Sequence, residues 1–501
     1  MASSTSRISF MRSSFKPSLL QTAIIIVLLA FAFLGTRAIW DPDEGRYTNV
    51  ALNMLESGDW LHPMRNEYVG HWTKPPLTYW AVAASVATFG YNPWAARIPN
   101  ALAYLFCAWM VWFIARRMTP GDENKAAIIY ATMFLPFGTA QMLTTDFLLA
   151  ACLSGAMAAW LESRHVQAPR SRYWVMLMWL GFGLGFLTKG PPALLPLLAV
   201  VAGSILAPSR RANSPFHWSG LLVFVAAALP WYLVVIRDTP GLLEYFLHRE
   251  VVERVASNEF GRHGEWYGWL QVYAPTLVVG SLPWTWMLWR WLRGLPAAMR
   301  GWRQRDSRQQ DADGLLLALW LLLPLLVFCV SQSRLPLYLL PLFTPLALIA
   351  ARQMRMEGRL FPRLLLLGAW LVILLGLRPF AAHWPTHKDA RAWADALRTR
   401  VQQPVKQVVF VEDMARYGIH LHLGAQVHKV SIDPLAADAF GPEYDTDLDT
   451  ELARADGEHS VYICKESLWP RLRAALEARD RQVIIHGQPF EGRVIFSVRQ
   501  R

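Results

Sequence analysis

Trp40-Asp41-Pro42-Asp43-Glu44-Gly45-Arg46-Tyr47 is the stretch on which the fold turns. It follows closely on an apolar run, Leu19 to Leu34, of nearly the length that crosses a hydrocarbon core of about 30 Å. Three carboxylates and an arginine so near hydrocarbon are costly unless they pair with one another or serve a site. A plainer alternative is that Asp41 or Asp43 caps a helix through Thr48 to Glu56, where a carboxylate also suits the helix dipole.

Upstream, Arg7, Arg12 and Lys16 precede the apolar run, no small-residue cleavage pattern follows it, and Trp40 closes it. This predicts an uncleaved first span with its N-terminus in the cytoplasm. Downstream, blocks such as Leu221 to Ile236, Leu315 to Val330 and Leu364 to Leu377 repeat the apolar theme. Of 501 residues 54% are hydrophobic and 17% charged, against roughly 25% charged in soluble domains, so lipid is the predicted solvent for most of residues 18–380. The net charge of +12 lies in short clusters between apolar blocks; that pattern reports topology and excludes nucleic acid as a partner. Cys107, Cys152, Cys329 and Cys464 have no paired spacing, so neither a disulfide framework nor a metal knuckle is expected.

Putting the basic clusters Arg116/Arg117/Lys125, Arg164/Arg170/Arg172, Arg210/Arg211, Arg290 to Arg308 and Arg352 to Arg363 inside gives about eleven spans. They fall near 18–38, 95–115, 126–142, 147–161, 174–188, 192–207, 218–236, 269–289, 314–331, 335–350 and 364–379. The short segment Leu77 to Phe89 is predicted as an interfacial helix, because a full crossing there would invert every later loop. The expected organisation is a membrane domain of residues 1–380, with outer loops at 39–76 and 237–268, and a soluble outer domain of residues 381–501. In the latter, Gln407 to Glu412 and Ser460 to Cys464 read as strands, and Ala390 to Val401 and Leu468 to Arg479 as amphipathic helices, which predicts a small α/β fold.

The unusual polar residues gather in the outer loops. Lys74, in His71-Trp72-Thr73-Lys74-Pro75-Pro76, suits a phosphate or else snorkels at the interface. Asp146, in the turn before the fourth span, serves a site or caps that span. Lys189 and Arg334 occupy two further outer turns, and Arg254 lies in the long loop with His248 and Arg262. Asp43, Lys74, Asp146, Lys189, Arg254 and Arg334 thus fall on one predicted face, from separate places in the chain. A cavity of carboxylates and cations beside a bilayer suits transfer from a lipid-linked phosphate donor. A transporter for a lipid-linked saccharide and a mere anchor for the outer domain are the rival classes. One-sided polar clustering argues against the first, and the absence of a catalytic motif around His459 and Cys464 against the second.

In these motifs the chain resembles the bacterial aminoarabinose transferases that modify lipid A, and more broadly the protein mannosyltransferase-like group of GT-C glycosyltransferases. The likeness covers roughly residues 38–345. It rests on Asp-Glu-x-Arg-Tyr (Asp43 to Tyr47), Ser-Gly-Asp-Trp (Ser57 to Trp60), Lys74-Pro75 followed by Tyr79-Trp80, Thr-Lys-Gly (Thr188 to Gly190), Gly-Ser-Leu-Pro-Trp (Gly280 to Trp284) and Leu-Pro-x-Tyr (Leu335 to Tyr338).

The resemblance implies a polytopic GT-C fold with a small C-terminal α/β domain in the periplasm, in a monomer of the bacterial inner membrane. It also implies an undecaprenyl-phosphate-linked sugar donor, lipid A or another glycan as acceptor, and an inverting displacement. By the same likeness Asp43 and Asp146 are the expected catalytic carboxylates. Lys74, Arg254 and Lys189 would hold the carrier phosphate, and Glu44, Arg46, Tyr338 and Arg334 would line the substrate site. Two positions depart from the family pattern. A glutamate expected before Lys-Pro is Thr73, and a histidine expected three residues before Arg254 is Val251. Those two family residues can share a divalent metal ion, so no certain cofactor is implied here. A hexose or uronic acid carried on the same lipid, with another glycan or a protein as acceptor, is the neighbouring alternative.

Overall fold

Apolar helices account for most of the chain, and their ends are set by prolines and glycines. The computed structural model describes residues 15–209, 214–248, 265–435, 440–454 and 459–500. Contacts divide the chain into two compact units: Met1–Ala32 with Asn100–Pro379, and Phe33–Pro99 with Phe380–Arg501.

The first unit is helical. In chain order its first elements are α1 (Leu19–Phe31), then, after the α2 (Asp43–Ser57) and α3 (Leu77–Phe89) of the second unit, α4 (Pro93–Met118), α5 (Glu123–Thr132), α6 (Phe134–Thr139), α7 (Thr145–His165) and α8 (Arg170–Lys189). The boundary between units falls inside α4. Among the described residues six helices are long and apolar enough to cross a membrane: α4, α7, Trp218–Asp238, Ala312–Val330, Pro336–Met356 and Leu364–Ala382.

A helix, whole or interrupted, lies in each of the eleven predicted stretches, and the interruptions have a cause. Stretch 126–142 breaks at Met133, whose ψ of 135° leaves the helical region between α5 and α6. Stretch 269–289 breaks between Gly280 and Thr285, around Pro283, which has no N–H to donate. The two breaks satisfy one another: the Phe134 N–H donates to the Leu282 carbonyl at 3.1 Å, and the Trp284 indole donates to Thr132 Oγ1 at 2.9 Å. Irregular backbone inside an apolar domain survives only where protein supplies such partners. Packing of α7 against α8 depends on Gly181, where an added Cβ would lie 2.9 Å from both the Ala156 Cβ and the Cys152 carbonyl. Small residues let helices approach this closely where water provides no driving force.

In the second unit the C-terminal chain forms a six-stranded sheet of order β3-β2-β1-β4-β6-β5. Its strands are β1 (Gln407–Val411), β2 (Gln426–Ser431), β3 (Thr446–Asp447), β4 (Ser460–Lys465), β5 (Arg481–Ile485) and β6 (Arg493–Gln500). The two predicted strands, β1 and β4, form the parallel centre, with Val408 opposite Val461 and Phe410 opposite Ile463. Val408, Phe410, Val461 and Ile463 pack on Trp393 and Leu397 of one layer, while Val409, Val411 and Tyr462 pack on Leu472 and Leu476 of the other. Burial on both faces is what makes β1 read as a continuous apolar run, and each such side chain contributes roughly 1.5–3 kcal/mol.

The segment before α2 is stitched to this domain as a strand-like partner. Ala390 N donates to the Ile39 carbonyl and Asp41 N to the Lys388 carbonyl, both at 3.0 Å. The capping expectations fail here. Pro42 holds the N-cap position of α2 and no side chain caps it, so neither Asp41 nor Asp43 has that task. In α7 the cap is Thr144, and Asp146 stands inside the first turn.

Candidate functional site

Asp41, Asp43 and Glu44 sit within four residues of sequence, yet burial and partners give each a different state. Glu44 is buried and closed over by two guanidinium groups. Arg37 meets it in a two-pronged contact of 2.7 and 2.8 Å, Arg97 at 3.0 and 3.3 Å, and the Trp40 N–H at 3.0 Å. Burial alone would raise its pKa, but Arg37 and Arg97 hold it down at about 2. Arg97 also donates to the carbonyls of Leu34, Arg37 and Ala38. Glu44 was expected on the substrate. Its carboxylate is engaged by Arg37, Arg97 and the Trp40 N–H, and together they fix the chain entering α2.

Asp41 is also buried, at 2% exposure, and accepts the Gly418 N–H, 3.2 Å from either oxygen. Burial raises its pKa to about 8, against the weaker opposing pull of Gly418 and Arg416. Asp43 alone turns outward. Its side chain is 66% exposed and pairs with Arg46 at 2.8 Å, one turn along the same helix.

Near Arg46 stands a histidine that sequence reasoning passed over. His71 is buried, and its Nε2 lies 3.0 Å from Thr73 Oγ1. Burial pushes its pKa well below the ordinary value, and Arg46, Arg65 and Lys74 add to the effect, so a neutral imidazole sits amid three cations. Lys74 is half-buried and its Nζ donates to the Thr73 carbonyl at 2.5 Å. The signal that finds such a residue is a histidine amid apolar neighbours beside a lysine, weak by itself.

The first unit brings three of the remaining candidates together. Asp146 on α7 and Lys189 at the end of α8 form a buried ion pair, and the Lys189 ammonium lies 4.3 Å from the ring centre of Tyr338. Tyr338 is set by the 3-10 turn Pro336–Leu342. Arg334 is buried four residues earlier, donating to the carbonyls of Glu265 at 2.7 Å and Cys329 at 3.0 Å. These contacts hold backbone, which suits fixing the Tyr338 turn as well as lining a cavity. Arg254 and Val251 lie outside the described residues. Among the described residues no three His, Cys, Asp or Glu side chains converge as metal ligands. Thr73 and Val251 cannot supply the carboxylate and imidazole that a shared ion would need.

Residues 73–233 match the family model described as dolichyl-phosphate-mannose-protein mannosyltransferase. A protein of Edwardsiella ictaluri named undecaprenyl phosphate-alpha-4-amino-4-deoxy-L-arabinose arabinosyl transferase is 34% identical over 379 residues, 72% of this chain. That match spans 65% of the Edwardsiella protein, just under two thirds of its length. The protein of the same name from Enterobacter sp. (strain 638) is 30% identical over 503 residues, covering 93% of this chain and 86% of that one. The chain belongs to this arabinosyl transferase family.

Arabinosyl transferase membership agrees with the fold. The crystal structure of ArnT from Cupriavidus metallidurans bound to undecaprenyl phosphate superimposes with a TM-score of 0.74, at 20% identity, over 96% of this chain and 97% of that one. The architecture is therefore the GT-C fold with a C-terminal sheet domain, in a multi-pass membrane protein.

Proposed function

We propose that this arabinosyl transferase relative transfers a sugar, an aminopentose in the first instance, from undecaprenyl phosphate to lipid A or a related acceptor on the periplasmic face of the bacterial inner membrane. The observation that carries the reading is the sorting of the three opening carboxylates. Asp41 and Glu44 are buried and engaged, and Asp43 alone is exposed. A carboxylate that must meet an acceptor has to be accessible, and Asp43 is the member of the motif that satisfies this.

In the proposed displacement the acceptor oxygen attacks the anomeric carbon from the face opposite the departing phosphate. The bond from that carbon to the phosphate oxygen breaks, and undecaprenyl phosphate leaves with its electron pair. Lys74 and Arg254 hold the developing charge on the carrier phosphate, with Lys189 released from Asp146 to assist. A hydroxyl acceptor gives its proton to Asp43, a contribution of about 10² to 10⁴ in rate. A phosphate acceptor needs no base, and Asp43 then orients it or stabilises positive charge at the sugar. Arg46 pairs with Asp43 and aims it, and Tyr338 and Arg334 shape the donor side. The domain organisation in this reading is a catalytic membrane domain to about residue 380, followed by a periplasmic domain. No step is routed through a metal.

Mass spectrometry of lipid A and of the polyprenyl-phosphate pool from cells carrying wild-type protein or Asp43→Asn tests the proposal. An aminopentose-sized increment on lipid A that disappears with Asp43→Asn, at equal membrane content of protein, is the expected result. Unchanged lipid A with accumulation of a different lipid-linked sugar would redirect the same chemistry to a hexose or uronic acid donor. Transfer retained by Asp43→Asn would remove Asp43 from the reaction.

A further inference from the structure

One face of α2 is spent on the C-terminal sheet domain. Residues 45, 49, 53 and 56 recur at helical spacing and form one stripe, and each meets this domain. Gly45 lies so close that an added Cβ would fall 2.6 Å from the Gly418 nitrogen and 1.8 Å from Asp41 Oδ1. Buried His420 bridges two turns of the helix, with Nδ1 2.9 Å from Asn49 Oδ1 and Nε2 2.8 Å from Glu56 Oε1. Gln426 at the start of β2 donates to Asn53 Oδ1 at 3.2 Å and to Glu56 Oε2 at 2.8 Å. At the N-terminal end, Asp41 receives the Gly418 N–H. A helix held only for stability is normally packed through apolar side chains. This stripe is glycine and polar residues matched bond for bond, which fixes rotation and axial position, while Val50 and Met54 on another face pack against Tyr79 of α3.

We infer that the sheet domain is a positioning element for the reaction: through Gly418, His420 and Gln426 it sets the height and rotation of α2, and so the place of Asp43. Asp41 and His420 are positioning residues, neither touching substrate. The inference deepens the transferase reading and rests on it for its catalytic consequence. Burial keeps Asp41 largely protonated at neutral pH, so asparagine is its close replacement in shape and charge, whereas alanine leaves the buried Gly418 N–H without an acceptor.

The test uses the purified full-length protein in detergent with Asp41→Ala, Asp41→Asn and His420→Gln. Two quantities are read: amide hydrogen exchange of peptides covering residues 43–57, and steady-state transfer from an undecaprenyl-phosphate-linked aminopentose. Asp41→Ala and His420→Gln are expected to lose protection in that segment and to lower kcat by about 10- to 100-fold, the usual result of small misplacement, with KM for the donor little changed. Asp41→Asn is expected to restore both. Unchanged exchange in Asp41→Ala and His420→Gln overturns the inference. So does lost protection with full kcat. Equal falls in exchange protection throughout the chain and in protein yield, at constant specific activity, would mark a merely structural role and also overturn it. Wild-type protein that transfers nothing, while exchange in 43–57 still follows Asp41 and His420, counts against the transferase reading and leaves the mechanical link standing.

Discussion

Two buried arrangements of charge define what single residues can do in this protein. Lys189 and Asp146 neutralise one another in a nearly dry setting, and removing one partner leaves the other charged without compensation. Lys189→Met or Asp146→Asn alone is expected to lower stability by about 3–5 kcal/mol. The double variant should lose much less, and thermal unfolding of the four proteins as a double-mutant cycle measures the coupling. Asp41 behaves in the opposite sense. Its carboxyl keeps its proton up to about pH 8 in the folded chain, against 3.8 for the free side chain. Folding therefore takes up a proton between those values, and stability falls as pH rises from about 4 to about 8, by at most about 1.4 kcal/mol per pH unit. Asp41→Asn removes that slope, and unfolding of both proteins by denaturant across this pH range checks it. The burial of these carboxylates was not legible in the sequence, where the motif singles out Asp43 but says nothing of the partners of Asp41 and Glu44. What sorts them is the identity of partners far along the chain, Gly418 for one and Arg97 for another.

Among the elements, α7 and α8 illustrate how helices meet without water to drive them together. Gly181→Leu places a branched side chain where even a Cβ lies within 2.9 Å of the opposing backbone. The expected cost is about 1–3 kcal/mol or more, visible as a lowered unfolding temperature in detergent. The positions of the apolar helices were readable because hydropathy and length suffice to find them. Their continuity was not: the breaks at Met133 and between Gly280 and Thr285 depend on two irregular backbones finding each other. The sheet was half readable for a related reason. β1 and β4 announce themselves as apolar runs, whereas β2, with the sequence Gln-Val-His-Lys-Val-Ser, alternates with polar residues that serve α2 and Glu451.

At the scale of the whole molecule, contacts group the segments of the chain in a way that hydropathy does not show. Residues 33–99 group with 380–501, so the segment that follows α1 and the C-terminal sheet domain form one compact unit. Deleting residues 381–501 is therefore expected to do more than remove an appendage. The helices of the first unit should still insert, but Asp41, Asn49, Asn53 and Glu56 lose their bonds to Gly418, His420 and Gln426. Transfer should be abolished even though every proposed catalytic residue remains. Protease protection of the inserted helices, measured beside transfer activity, checks both halves of that statement.

The discontinuity of this second unit also sets a timetable for its making. Arg37, Glu44 and Arg97 emerge close together and can join as soon as they are synthesised. Gly418, His420 and Gln426 arrive only after about 320 further residues, which at about 5–20 residues per second is roughly 16 to 64 s. Through that interval α2 must wait without the partners of Asn49, Asn53 and Glu56 that the sheet domain supplies, and the reacting helix gains its final seat only when about the last sixth of the polypeptide is being made.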